Sequence, residues 1–387
     1  MRTENDLSKA FRRYLAVLLF GLVAGFALTA VINITIDPYG LWRLVEIPGI
    51  NSAKSHRRDQ NYMFKAVDLM RQKPRVLLFG SSRAAFGLDP RHSAFDRLEL
   101  APVYNAALTG GHLYALRRYL EHAVYNNEGL ELVIWGLDFF AFNENVRVAE
   151  SFDEQRLVRS SLHYSDLASS VFSLDALKSS VNTVRSNISD PGFQAYSPLG
   201  QLTATDMARQ VAQTGMIDRF DQSVRLYLNG KTRMASYQDS SDAWGELDRI
   251  LVLADEHDIK LRFFVSPVHT ALLEVIHQRG LWLTYAEWLS RLSERISFWD
   301  FALPSTITIE PIAEQMQNYW DVSHYRSNVG DIVLSRMLLP GTESNQDFGK
   351  LVDRSNIDQH IEDLSRRFMV WRDASPDAVL FVSSRKW

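Results

Sequence analysis

The sequence of 387 residues contains no cysteine. This absence excludes a disulfide framework, a thiolate nucleophile, an iron–sulfur cluster and a cysteine-ligated zinc site. It is compatible with an oxidising compartment but does not require one. The sequence also has little excess charge, with 42 Lys and Arg against 46 Asp and Glu. The strongly basic surface typical of nucleic-acid binders is therefore missing, and we expect no nucleic-acid partner.

Several catalytic motifs are absent as well. The sequence has no GxSxG, no GxGxxG after its first predicted strand and no HExxH, which argues against an α/β-hydrolase turn, a dinucleotide site and a zinc protease. Gly230-Lys231-Thr232 lacks the glycine that a P-loop needs five positions earlier, where Arg225 stands. We therefore predict no cofactor and no metal.

Long apolar runs are scarce, and residues 14–36 form the one run that could span a bilayer. This run follows Lys9, Arg12 and Arg13, so the positive-inside rule predicts a cytoplasmic tip at 1–13 and a transmembrane signal anchor at 14–36. A cleavable signal peptide fits less well, because the apolar run continues past the small residues near Ala30. A buried core helix also fits less well, because the run is apolar on every face.

The rest of the sequence alternates between short apolar runs and helical patterns. After a juxtamembrane segment and helix (37–74), we predict a three-layer α/β domain with a parallel sheet over 75–340. Predicted strands lie at 75–79, 103–104, 130–135, 261–265 and 296–301, and predicted helices at 61–72, 112–125, 243–257, 284–293 and 328–338. Residues 145–239 are predicted to form an insertion packed over or beside the sheet. A linker (341–349), an amphipathic helix (357–371) and an apolar tail, which packs on the domain or binds a partner, complete the chain to residue 387.

The first predicted strand ends in Gly80-Ser81-Ser82. A serine at this point is exposed at the edge of the sheet, and its own amide can help to bind an oxyanion. The simpler interpretation is that Ser81 or Ser82 caps the next helix. A third possibility is that the turn binds an anion.

A second polar cluster lies far downstream, where Asp321 precedes His324 by three residues. At this spacing the carboxylate can hold the Nδ1 proton of the imidazole and leave Nε2 free to accept a proton from a serine. Together with the Gly-Ser-Ser turn, the pair favours a serine-based catalytic site. Another histidine, His269, follows the fourth predicted strand at the same edge of the sheet, and the sequence leaves its direction open.

At these residues the chain resembles the SGNH (GDSL-type) hydrolase superfamily of esterases, lipases, deacetylases and acyltransferases. Gly80-Ser81-Ser82 aligns with the first block of that family, which makes Ser82 the nucleophile. Residues 105–110 resemble the second block, with Gly110 as an oxyanion amide donor and Asn105 as a further substrate-binding candidate. Asp321 and His324 match the final DxxH block. The resemblance implies a flavodoxin-like SGNH fold.

The chain departs from the family pattern at two positions, one at the oxyanion site and one in the first block. Asp138 stands where the family has an asparagine, and an ionised carboxylate there would repel the developing charge. Either Asp138 is protonated, or Asn143 takes the role, or the site is not a hydrolase site. Arg83, beside the predicted nucleophile, could pair with an anionic substrate or with Asp138. Ser81 replaces the Asp of the first block, which is not the triad acid.

These variants are most similar to the membrane-anchored branch of the family, as in alginate O-acetylation proteins and DltD-type proteins of teichoic acid D-alanylation. The resemblance implies a serine esterase or O-acyltransferase that acts on acyl esters of a cell-envelope polysaccharide. It also implies a single-pass protein of the bacterial inner membrane with most of its chain in the periplasm, and a multispan membrane partner that delivers the acyl group. The alternative is a non-catalytic SGNH-like protein that binds glycan or acts as a scaffold in an envelope assembly.

Overall fold

A computed structural model describes residues 4–191, 193–339, 341 and 346–386. It shows an α/β protein with a six-stranded, mostly parallel sheet. The chain divides into two compact units. The first unit contains the residues up to Phe64 and Ser161–Ala195, and the second contains Lys65–Ser160 and the residues from Tyr196 onward.

Helices and strands are numbered separately in chain order. The helices of the described residues are α1 (Glu4–Ile36), α2 (Asn61–Gln72), α3 (Ser82–Gly87), α4 (Ser93–Arg97), α5 (Leu113–Asn126), α6 (Tyr164–Phe172), α7 (Leu174–Ser189), α8 (Thr205–Thr214), α9 (Met216–Asn229), α10 (Ser241–Glu256), α11 (Thr270–Gln278), α12 (Trp282–Ser293), α13 (Ser327–Leu338), α14 (Ile357–Ala374) and α15 (Pro376–Ser383). The strands are β1 (Val76–Phe79), β2 (Val103–Asn105), β3 (Leu132–Leu137), β4 (Lys260–Val265), β5 (Phe298–Asp300) and β6 (Lys350–Val352).

The strands lie in the order β2-β1-β3-β4-β5-β6, with every pair parallel except β5 and β6. All residues of β1, β2 and β3 are buried. Because successive side chains of a strand point to opposite faces, the sheet must be covered on both sides there. Parallel pairing also brings the carboxyl ends of β1, β2, β3 and β4 to one edge, which is where the polar residues noted in the sequence begin.

The five strands predicted from the sequence are present, and no end is shifted by more than two residues. The prediction missed β6, a short antiparallel strand between the polar linker and α14. Its three residues depend on pairing with β5, and a run of that length has no periodicity of its own. Of the predicted linker, residues 342–345 lie outside the described residues.

The prediction of a single insertion at 145–239 needs correction. Residues 161–195, which include α6 and α7, belong to the first unit with α1, and the remainder belongs to the second unit with the sheet. Within the second unit, α9 lies beside the sheet edge that carries the polar residues. The 145–239 segment therefore contributes to two structures with separate packing.

Helix α1 begins at Glu4, so it includes most of the predicted cytoplasmic tip as well as residues 14–36. Within the described residues, Ser8–Ile36 is the one helical stretch long and apolar enough to cross a membrane. Its side chains from residue 8 to residue 28 are exposed to the surroundings. A helix that is apolar on every face and lacks protein cover matches a lipid environment.

The C-terminal helices belong to the second unit. His360 on α14 and Asp300 at the end of β5 form a fully buried pair, with His360 Nε2 2.7 Å from Asp300 Oδ2. The apolar tail forms α15, in which Val382 is buried and Phe381 meets the edge of Phe220 at 6.5 Å. The tail thus packs on its own unit, the first of the two possibilities expected from the sequence.

Candidate active site

The turn after β1 places two serines in different roles. Gly80 has φ +140°, and a Cβ there would lie 2.9 Å from Ala84 Cβ and 3.0 Å from the Gly136 carbonyl, so the turn requires glycine. Ser81 is the N-cap of α3, and its hydroxyl accepts a hydrogen bond from the Arg83 amide at 3.2 Å. Ser82 is the first helical residue, and its hydroxyl is left for another partner.

That partner is His324. Ser82 Oγ lies 2.8 Å from His324 Nε2, and His324 Nδ1 lies 2.8 Å from Asp321 Oδ2. The three side chains therefore form a continuous hydrogen-bonded chain, although Ser82 and His324 are 242 residues apart in sequence. With the carboxylate at Nδ1, the imidazole presents Nε2 to the serine in the tautomer that can accept its proton.

Asp321 is held in place by more than the imidazole. Its Oδ1 accepts the backbone amides of Ser323 and His324 at 2.8 and 2.9 Å, and Arg219 Nη2 donates to Oδ2 at 3.2 Å. Burial alone would raise the pKa of Asp321, but His324, Arg219 and the Ser323 amide hold it well below its usual range. The carboxylate is therefore ionised at every pH at which the protein is expected to work.

Two glycines set the distance between the serine and histidine elements. A Cβ on Gly330 of α13 would lie 1.8 Å from the Gly87 carbonyl at the end of α3, and a Cβ on Gly87 would lie 1.8 Å from Tyr325 Cε2. Both contacts are impossible for a larger residue. The backbones of α3 and α13 thus approach closely, and Tyr325, next to His324 in the chain, packs directly on Gly87.

Arg83 and Asp138 form an ion pair, one of the two possibilities that the sequence left open for Arg83. Arg83 Nη1 lies 2.8 Å from Asp138 Oδ1, and the two side chains are 5% and 2% exposed. Arg83 thus pairs with Asp138, and its side chain is too buried to be presented to a substrate. Asp138 Oδ1 accepts a hydrogen bond from this guanidinium. As an acceptor, it does not fill the oxyanion-donor role of the family asparagine.

Arg83 has two further partners. Its Nε donates to Ser323 Oγ at 2.9 Å and its Nη2 donates to the Tyr227 hydroxyl at 3.1 Å. Burial alone would lower the pKa of Arg83, but Asp138 and Tyr227 raise it above its ordinary value. One guanidinium therefore joins the nucleophile helix, the end of β3, the histidine loop and α9.

The two predicted asparagines have structural partners. The Asn143 amide donates to the carbonyls of Lys231 and Arg233 at 3.2 and 2.8 Å, so it holds the loop after α9 and does not replace the family asparagine. The Asn105 amide donates to the carbonyls of Ala84 and Leu88 at 3.0 and 2.9 Å. Asn105 thus anchors α3 from the end of β2, and we correct both residues from substrate binding to positioning.

A cavity of about 220 Å³ lies in front of Ser82. Gly110, with φ +91°, lies in its wall. The Ser82 amide is at the N-terminus of α3 and has no acceptor within its own helix. These two amides are the candidate oxyanion donors of the site.

The sequence analysis missed the opposite wall of this cavity. Most of it comes from one face of α9, with Phe140 and Arg233 beside it, and the α9 residues are Arg219, Gln222, Ser223, Leu226 and Tyr227. Their spacing is that of one helix face, so helical periodicity within 216–229 could have revealed the group. Within the described part of the chain, the Nε atoms of Arg219 and Arg233 have no hydrogen-bond partner.

His269 does not join the site. Its Nε2 donates to the Glu310 carbonyl at 2.6 Å, and its Nδ1 accepts the Ala271 amide at 3.1 Å as the cap of α11. Both ring nitrogens are thus used in holding the backbone. The imidazole is buried, and burial lowers its pKa to about 4, with the Glu310 carbonyl opposing this only in part.

The low pKa of His269 predicts a pH-dependent stability. In the unfolded chain this histidine has a pKa near 6.5, whereas in the folded protein its pKa is about 4. Between these pH values the unfolded state binds a proton that the folded state does not, so lowering the pH favours unfolding. The free energy of unfolding should fall across this window by up to about 3 kcal/mol from this group. Urea titrations at several pH values will measure it. His269→Asn, which keeps a capping acceptor, should flatten the decline, and an equal decline in both proteins would contradict the assignment.

Comparisons with family models, curated proteins and solved structures gave no match to this chain. Within the described residues, there is also no group of three or more His, Asp or Glu side chains that could hold a metal ion.

Proposed function

We propose that this protein is a membrane-anchored serine esterase or O-acyltransferase of the SGNH type, acting on acyl esters of a cell-envelope polysaccharide. The observation that carries the proposal is the hydrogen-bonded chain from Ser82 through His324 to Asp321, with both links at 2.8 Å. Serine, imidazole and carboxylate in this order activate a hydroxyl for attack on an acyl carbonyl.

In the first step, Ser82 Oγ attacks the acyl carbonyl while His324 Nε2 takes the hydroxyl proton. The amides of Ser82 and Gly110 stabilise the negative charge that develops on the carbonyl oxygen. The intermediate then collapses, the ester C–O bond breaks, and His324 returns its proton to the leaving alcohol. The products of this half-reaction are an acyl-Ser82 ester and a free hydroxyl on the donor.

The second half-reaction decides between hydrolysis and transfer. His324 takes a proton from the incoming nucleophile, which attacks the acyl-Ser82 carbonyl, and the same proton returns to Ser82 Oγ as the acyl group leaves. Water as nucleophile gives an esterase, and a sugar hydroxyl gives an acyltransferase. Gln222 and Ser223 supply hydrogen-bonding side chains at the cavity wall, which suits a hydroxyl-rich acceptor.

The sheet supports the SGNH-type fold proposed here. Its first five strands have the order 2-1-3-4-5 and are parallel, which is the order of flavodoxin-like folds, and β6 adds an antiparallel strand at one edge. The candidate site lies beyond the carboxyl ends of the strands, where ligands of such sheets bind. Asp138 is the main departure, because its pairing with Arg83 leaves the oxyanion site to backbone amides.

The N-terminal helix supports the proposed location. Lys9, Arg12 and Arg13 precede its most apolar part, so we place the N-terminus in the cytoplasm and the catalytic unit on the outer side of a bacterial inner membrane. Transfer on that side of the membrane requires an activated acyl group from within the cell. We therefore propose a multispan membrane protein as the acyl-donor partner.

A fluorophosphonate probe tests the proposal on the unmodified full-length protein in detergent. We expect one adduct, formed as the Ser82 oxygen displaces fluoride from phosphorus, and peptide mapping should place it on Ser82 and not on Ser81. Heat-unfolded protein is the control and should remain unlabelled, because an isolated serine is a weak nucleophile. A folded protein without an adduct on Ser82 would argue for the non-catalytic, glycan-binding alternative.

A further inference from the structure

The first unit exposes an apolar surface beside α1, at the corner where α6 meets α7. We call Phe172 and Leu174, which flank this junction, together with Tyr164 and Leu167 earlier on α6, the apolar corner. Tyr164 is 83% exposed and Leu174 is 76% exposed, and the other two are also substantially exposed. Large apolar side chains grouped in this way usually mark an interaction surface.

Contacts with α1 fix the position of this corner along the apolar helix. The Asn33 amide donates to the carbonyls of Val171 and Ser173 at 2.9 and 3.4 Å, and Asn33 Oδ1 accepts the Ser180 hydroxyl at 2.9 Å. The ring of Phe172 meets the ring of Phe26 edge to face, with centroids 6.5 Å apart. The corner therefore lies against the last third of α1.

The positions of these contacts along α1 give the depth of the apolar corner in the bilayer. A hydrocarbon core of about 30 Å takes about 20 helical residues, so a span that starts at Tyr14 ends near Asn33. Phe26 lies seven residues before Asn33, about 10 Å deeper along the helix. Because Phe172 contacts Phe26, its ring lies at the level of the acyl chains and not in the water above them.

The chemistry of the corner also fits lipid. Leu28 and Val31 of α1 are each 61% exposed, so the apolar surface of α1 continues past Phe26 towards the corner. The backbone carbonyls of Val171 and Ser173 are satisfied by Asn33, which allows this turn to enter an apolar medium. From residue 160 to residue 177 the sequence has no lysine or arginine, so nothing there selects for anionic head groups.

We propose that the apolar corner is a second membrane contact, which inserts into the outer leaflet beside α1. Its ligand is the acyl region of the bilayer itself. A single helix leaves a protein free to rotate and tilt, whereas a second inserted point restrains the first unit relative to the membrane surface. The proposal rests on α1 as a membrane span and is independent of the activity of Ser82.

The absence of cysteine gives a clean test, because a single introduced cysteine carries the only label. Leu174→Cys reports on the corner. Ile188→Cys is the matched control, since Ile188 is 69% exposed on the same helix, about 21 Å further along it. Asn187, its neighbour, hydrogen-bonds to Ala53. In the segment around Ala53, Asn51 and Lys54 hydrogen-bond to Thr35 and Ile36. Position 188 therefore lies near the end of α1, beyond the predicted span. Phe20→Cys, in the middle of the span, reports on α1 itself.

Each full-length variant is labelled with an environment-sensitive fluorophore and reconstituted into phosphatidylcholine nanodiscs, with or without a nitroxide on the lipid acyl chain. We expect blue-shifted emission and strong loss of signal to the nitroxide at positions 20 and 174, and water-like, unquenched emission at 188. The result at 174 should not change with salt or with added anionic lipid.

Three results would overturn the proposal in different ways. Quenching at 20 without quenching at 174 would overturn the second contact while leaving the span intact. A label at 174 that is water-exposed in pure lipid but shielded in native membranes would assign the corner to a protein partner. An unquenched label at 20 would overturn the span, and the corner proposal with it. None of these results depends on esterase activity.

Discussion

Ser82→Ala is expected to lower kcat for a chromogenic acetyl ester by about 10³-fold or more, with a much smaller change in KM. The substitution removes the atom that forms the acyl ester and leaves the cavity, the two oxyanion amides and the α3 helix in place. The residual rate should reflect binding and amide stabilisation alone. Steady-state kinetics on the full-length protein in detergent will measure both constants.

Ser81→Ala is the matched control, because it changes the adjacent hydroxyl. That variant loses the N-cap of α3, which should lower the free energy of unfolding by about 1 kcal/mol, but it keeps the nucleophile and most of the activity.

His324→Ala should lower kcat as much as Ser82→Ala does. The double variant Ser82→Ala, His324→Ala should be no less active than either single one, since the two residues act as a unit. Equal kcat in wild type and Ser82→Ala would eliminate Ser82 as the nucleophile.

The residues at the centre of the candidate site could be predicted because their sequence contexts are local. A glycine and two serines directly after a buried strand, and an aspartate three residues before a histidine, each indicate a role within one turn of chain. Parallel strands then bring such turns to one edge of the sheet, even when 242 residues separate them. This logic identified Ser82, Asp321 and His324 without tertiary information.

The residues around that centre could not be predicted because their roles depend on distant partners. The sequence left two partners open for Arg83, an anionic substrate or Asp138, and only the fold shows that its partner is Asp138, 55 residues away. Asn143 has the donor chemistry of an oxyanion residue, and only the fold shows that its amide is used by the loop after α9. The support of Asp321 by Arg219 likewise depends on where α9 lies.

The secondary structure and packing were likewise predictable only where the sequence signal is local. Strands buried on both faces are apolar without interruption, so β1 and β3 are predictable from the sequence. In β4 only the last three residues are buried, and they form the apolar run that predicts it, whereas β6 depends on pairing with β5. Residues 161–195 were assigned to one insertion because their helical patterns carry no information about which surface they cover. Their partner is α1, more than 130 residues earlier in the chain.

Removing one partner of the Arg83–Asp138 pair is expected to be the most destabilising single change near the site. Asp138→Asn leaves the Arg83 guanidinium buried without a counter-charge, which should lower the free energy of unfolding by about 3–5 kcal/mol. Arg83→Met should have an effect of similar size. It leaves the Asp138 carboxylate buried without a counter-charge and removes the hydrogen bonds from Arg83 to Ser323 and Tyr227. Urea denaturation followed by circular dichroism will measure these changes.

The double variant Arg83→Met, Asp138→Leu separates the charge effect from the packing effect. It removes both charges and keeps apolar volume, so it should be more stable than either single variant. Its activity should stay low, because Ser323 and Tyr227 no longer hold the histidine loop through Arg83. If the two single losses simply add in the double variant, the pair has no coupling and Arg83 is not the residue that joins these elements.

Asp138→Asn has a further use, since an increase in kcat despite lower stability would show that an amide at 138 can reach the oxyanion.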